Sequence, residues 1–156
     1  MNDREVPAEL AALDAELAGV ARRVEHRIDP GRTALTVSIG ILALTVSLVL
    51  PWTGSTPGWE VLAGTESFGL LPRLFAFTAI GFGVLGSALA LATRWWGLAW
   101  VCAAGCGISV IDGMWAIWSR QVGVPDGGTG AGIGLVLAVL AVLVLAASWA
   151  RIALRR

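Results

Sequence analysis

The chain has 156 residues, 56% of them hydrophobic, with a mean hydropathy of +0.77 and 11 basic against 11 acidic side chains. That composition leaves room for one small apolar helical domain with a short hydrophilic appendage, and none for a second globular domain. The basic residues, all arginine, flank apolar blocks instead of forming one solvated patch, which argues against nucleic acid as a partner.

Residues 1–33 are hydrophilic and read as a cytoplasmic amphipathic, coiled-coil-like helix. Val6, Leu10, Leu13, Leu17, Val20 and Val24 recur at alternating steps of four and three, which sets them on one stripe. Acidic residues crowd the start and arginines the end, as the helix dipole prefers, and Pro30-Gly31 stops the helix. The stripe is a candidate surface for a protein partner or for self-association. No secretory signal is expected, because a basic stretch, apolar core and small-residue cleavage site do not follow one another at the start.

Residues 34–154 read as a four-helix transmembrane domain. The apolar blocks 34–50, 74–92, 98–118 and 131–150 each approach the roughly 20 residues that a helix needs to cross hydrocarbon about 30 Å thick. The fold class expected is therefore an all-α integral membrane protein. Arg22, Arg23, Arg27, Arg32, Arg94, Arg151, Arg155 and Arg156 fall on one side and Arg73 and Arg120 on the other, which places both termini in the cytoplasm of a multi-pass bacterial plasma-membrane protein. Trp52, Trp59, Trp95, Trp96, Trp118 and Trp149 lie near block ends, where an amphipathic indole anchors well. Small residues such as Gly40, Gly83, Gly86 and Gly134 offer faces for close helix packing.

Asp112 is the only acid within an apolar block. Cys102, Gly105, Ser109, Asp112 and Ala116 share one helical face, with Trp96, Trp100 and Trp118 on the other. Arg73 is at a compatible depth and is expected to pair with Asp112 by snorkelling. A proton or ion site at Asp112 is the alternative. Cys102 and Cys106, four apart, match neither a redox pair nor a metal set, and the single histidine, His26, has no ligand cluster. No metal or cofactor is expected.

Two outer loops, 51–73 and 119–130, hold the remaining soluble surface. Trp59, Glu60 and Glu66 are candidates for a partner contact there. Leu50-Pro51-Trp52-Thr53-Gly54 spells the sorting pattern of sortase substrates, yet that signal precedes a C-terminal anchor and here it follows the first of four blocks.

Ile28-Asp29-Pro30-Gly31-Arg32 before the first block, and Leu50-Pro51-Trp52-Thr53-Gly54 leading to Gly58-Trp59-Glu60-Val61-Leu62 after it, resemble a family of small uncharacterised actinobacterial, mycobacterial-type four-pass membrane proteins. The resemblance implies no catalytic residues. With no nucleophile and base, metal set or carboxylate pair in one layer, the chain reads as a non-enzymatic membrane scaffold or accessory subunit of envelope or division machinery. A small oligomeric transporter or channel component using Asp112 is the second reading. The expected partners are the lipid bilayer and a protein partner or second copy, with no nucleic acid.

Overall fold

A computed structural model describes Leu13 and residues 31–64, 69–122 and 130–154. Leu13 is helical and half exposed, and the rest of the 1–30 stripe lies outside the described residues. The first long helix, α1 (Gly31–Ser47), is followed by a short antiparallel hairpin, β1 (Pro51–Thr53) and β2 (Thr56–Pro57), and a six-residue helix, α2 (Gly58–Ala63). Next comes one continuous rod of three parts: α3 (Leu70–Thr78), a π-helical segment (Ala79–Gly86) and α4 (Ser87–Thr93). Two long helices complete the domain, α5 (Trp96–Val122) and α6 (Ile133–Leu154).

Helix ends follow local chemistry. The last turn of α1 tightens through Leu48, Val49 and Leu50 amides bonding to carbonyls three residues back, and Pro51, which has no N–H to give, ends the run. Pro51 pairs with Pro57 and Thr53 with Thr56, around a turn at Gly54 whose φ of 59° suits glycine. The α2 helix stops at Gly64, whose left-handed backbone (φ 72°) returns its N–H to the carbonyls of Glu60 and Val61. The rod ends at Arg94, the one non-glycine residue with positive φ among those described, and the chain reverses into α5 within two residues.

Residue 131 rejoins the hairpin. Ala131 bridges to Thr53, and the Gly132 amide donates to the Trp52 carbonyl at 2.7 Å, so a small β cap closes one end of the helices. Beneath it α6 is the most enclosed element, with Leu135, Ala138, Val142, Leu145, Trp149 and Ala153 all buried. It packs chiefly against α5 and α1, while α3 packs on α5.

Close approach is set by glycines that seat a neighbour's large side chain. A Cβ on Gly83 would fall 2.7 Å from Leu44 Cδ2, one on Gly40 2.8 Å from Leu145 Cδ2, and one on Gly113 2.6 Å from Val139 Cγ2. At Gly105 an added Cβ would overlap the Phe82 ring. Interiors packed to this density have no slack for an extra carbon.

The structure departs from the sequence expectation in several ways. The rod begins at Leu70, four residues before the apolar block, because Pro72 is tolerated in a first helical turn. Residues 51–57, expected as loop, form the hairpin. Leu70–Thr93, Trp96–Val122 and Ile133–Leu154 are long and apolar enough to cross a membrane by length and composition, whereas the first apolar helix is shorter. Trp149 and Trp52 are core residues, at 0% and 1% exposure, and not rim anchors.

Gly105→Ala should destabilise the fold by about 1–3 kcal/mol, the usual cost of overpacking. Gly107→Ala, which meets open space on the same helix, should be neutral or stabilising by up to about 1 kcal/mol. Urea unfolding of the two variants checks both.

Candidate functional site

Three places carry side chains not consumed by ordinary packing. The first lies between α3 and α5. Asp112 is half-buried, and its Oδ2 accepts from Thr78 Oγ1 at 3.3 Å; the same hydroxyl lies 3.2 Å from the Phe75 carbonyl. Around Asp112 on its own helix, Cys102, Gly105, Ser109 and Ala116 are buried. Ser109 donates to the Gly105 carbonyl at 3.0 Å and so adds no group to the aspartate.

Arg73 does not reach Asp112. It is exposed at the first turns of α3, with its guanidinium carbon 5.7 Å from the Phe77 ring centre, and its head lies beside Gly64 at the end of α2. This placement suits the cation, since the carbonyl end of a helix carries partial negative charge and a ring face attracts a guanidinium. The two residues expected to form an ion pair therefore have separate partners. Thr78 was missed in sequence, although it is one of only two hydroxyl residues between positions 74 and 92.

The second place is the cap. Trp52 is buried there, donating from Nε1 to the Ser47 carbonyl at 2.8 Å and packing 5.5 Å from Phe75 at a tilt of 35°. Gly58 and Gly134 leave the space that its indole occupies. Holding Trp52 in this way turns Trp59 outward, 53% exposed, with Glu60 beside it partly covered. Of the three loop residues singled out in sequence, Trp59 and Glu60 sit together on α2, and Glu66 lies outside the described residues.

The third is an apolar groove of about 500 Å³ lined by Leu71, Trp115, Trp118, Ser119 and Val122. Periodicity places Trp118 facing outward, and the fold adds Trp115 and Leu71 around it to form the concavity. Ser119 offers no spare donor, because its hydroxyl bonds to the Ala116 carbonyl at 2.9 Å.

Reactive groups are not assembled at any of these places. Cys102 and Cys106 are fully buried and unpaired. Burial pushes the Cys102 thiol up to about 11, and burial together with its neighbour pushes Cys106 up to about 12, so both stay protonated at neutral pH. No group of three His, Cys, Asp or Glu that could hold a metal occurs among the described residues.

The geometry predicts which double-mutant cycles couple. Asp112→Ala combined with Thr78→Val should show a coupling of about 0.5–1.5 kcal/mol in urea unfolding, the worth of one hydrogen bond. Asp112→Ala combined with Arg73→Ala should be additive within about 0.5 kcal/mol, as expected for residues without a shared contact.

Comparison with known proteins corrects the functional reading. A relative from Mycobacterium avium (strain 104), named tRNA-2-methylthio-N(6)-dimethylallyladenosine synthase, is 47% identical over 148 residues, which is 92% of this chain and 21% of that protein. The chain thus spans about one fifth of the length of the relative it matches. No solved structure matches. The named synthase overturns the likeness to an uncharacterised four-pass membrane family, and with it the fold class of an integral membrane protein and the plasma-membrane location. It also overturns the non-enzymatic scaffold and the Asp112 transporter, and the partner set of lipid bilayer and protein or second copy without nucleic acid. The physical reason is that a helix apolar all round suits either lipid or the interior of a larger protein, and length with composition does not separate the two. The profile of the family described as MiaB C-terminal domain matches residues 14–156, and the chain belongs to that family.

Proposed function

We propose that this chain is the C-terminal module of a tRNA-modifying enzyme that forms 2-methylthio-N6-dimethylallyladenosine in tRNA. The observation that carries the proposal is the 47% identity over 92% of the chain to a synthase named for that nucleoside. The matched region is about one fifth of the relative, and the described residues here hold no metal-binding group, so the proposal assigns the bond-making chemistry to the remainder of such an enzyme. This module contributes a tightly packed helical body with two outward features, the groove at Trp115 and Trp118 and the cap at Trp59.

The test is the nucleoside content of tRNA. Removing the gene for this chain should lower 2-methylthio-N6-dimethylallyladenosine at least tenfold in hydrolysed cellular tRNA measured by mass spectrometry. The nucleoside lacking the methylthio group should rise in its place, and re-supply of the gene should restore the original ratio. An unchanged ratio after removal would overturn the proposal.

A further inference from the structure

The rod from Leu70 to Thr93 changes its hydrogen-bond register in the middle. Ala79–Gly86 is π-helical, and eight residues is long for an element that usually occurs as a single turn inside an α-helix. Its sequence, AIGFGVLG, holds three glycines and has no local preference for this form. Three neighbouring helices touch it.

On the α5 side, the Phe82 ring fills the slot over Gly105. On the α1 side, Leu44 covers Gly83 so closely that an added Cβ would sit 2.7 Å from it. On the α6 side there is a chain of hydrogen bonds. The Phe82 carbonyl accepts from the Ser87 backbone N–H and, at 3.2 Å, from the Ser87 hydroxyl. Ser87 Oγ in turn accepts the indole N–H of Trp149 at 2.8 Å. Ser87 is five residues beyond Phe82, so the amide bond is the π pairing itself. In an α-helix the Phe82 carbonyl would be met by the Gly86 amide, and Ser87 would turn about 100° away from Trp149.

We propose that Ala79–Gly86 is a two-register joint, latched in its π form by the Trp149 to Ser87 to Phe82 hydrogen bonds. Releasing the latch lets the segment pass to α-helix, which screws α4 and the Arg94 corner round by one residue relative to α3. Ser87 and Ala90, now buried, would then yield their places to neighbours on the same helix. Bistability follows because packed slots accept one register or the next and nothing between. On the rod itself the seated residues, Phe82 over Gly105 and Gly83 under Leu44, lie N-terminal to Ser87, so only the C-terminal part of the rod is free to turn.

Hydrogen exchange on the full 156-residue chain tests this. In Trp149→Phe, which keeps an aromatic ring but loses the indole N–H, amides of 83–93 should exchange at least tenfold faster, with those of α5 and α6 changing less than threefold. Ser87→Ala, which removes a single oxygen and leaves Trp149 in place, should reproduce the same local pattern. Deleting Gly81, which meets open space, removes the surplus residue and should leave a folded chain whose 83–93 amides stay slow even with Trp149→Phe. An exchange increase spread evenly over the domain, no increase in either substitution, or failure of the Gly81 deletion to fold would each overturn the proposal.

Discussion

The domain depends on large side chains seated on glycines of neighbouring helices. Phe82 over Gly105, Leu44 over Gly83, Leu145 over Gly40, Val139 over Gly113 and Trp52 over Gly134 and Gly58 join every long element to at least one other. Each seat brings two backbones close enough for dense dispersion contact. The seats also fix register, since sliding a helix by one residue would put a side chain where a glycine has to be. Two of these seats fall next to each other within the π segment, at Phe82 and Gly83.

Polar groups inside this framework are few, and their partners are local. Ser47 and Ser109 return their hydroxyls to carbonyls three or four residues back on their own helices. The connections that bridge elements are therefore informative. Trp149 to Ser87 joins α6 to the rod, Thr78 to Asp112 joins α3 to α5, Trp96 to the Ala153 carbonyl joins the two long helices, and Gly132 to Trp52 closes the cap. A fully satisfied polar contact in an apolar interior selects one arrangement among several of similar packing energy.

Much of the helical layout was legible in the sequence because apolar runs and their breakers are local signals. Pro51, the Arg94 turn and the Gly-rich stretch before residue 131 each interrupt a run, and the helices fall between them. What escaped was non-local. An indole near a block end has the same pattern whether it faces outward, as Trp118 does, or fills a slot made by distant glycines, as Trp52 and Trp149 do. The hairpin escaped because two prolines and a glycine suggest a loop until Ala131 supplies a further partner. Arg73 and Asp112 were paired on depth along the helices, a coordinate that leaves out the direction in which each side chain leaves its helix. Function was the least legible of all, since family membership lies in the overall pattern of residues 14–156.

The placement of the two cysteines gives the chain an intrinsic clock. Both thiols lie on the buried face of α5, 0% exposed, one helical turn apart and close to the Phe82 seat. A thiol in that position can meet a reagent in solution only when α5 parts from its neighbours, so its modification rate counts openings of the packed interface and ignores motions of the cap. With fast reclosing the count reports how stable the interface is, and at high reagent concentration it reports how often the interface breaks. Without any engineered probe, the same two atoms can measure how firmly α5 is held against its neighbours.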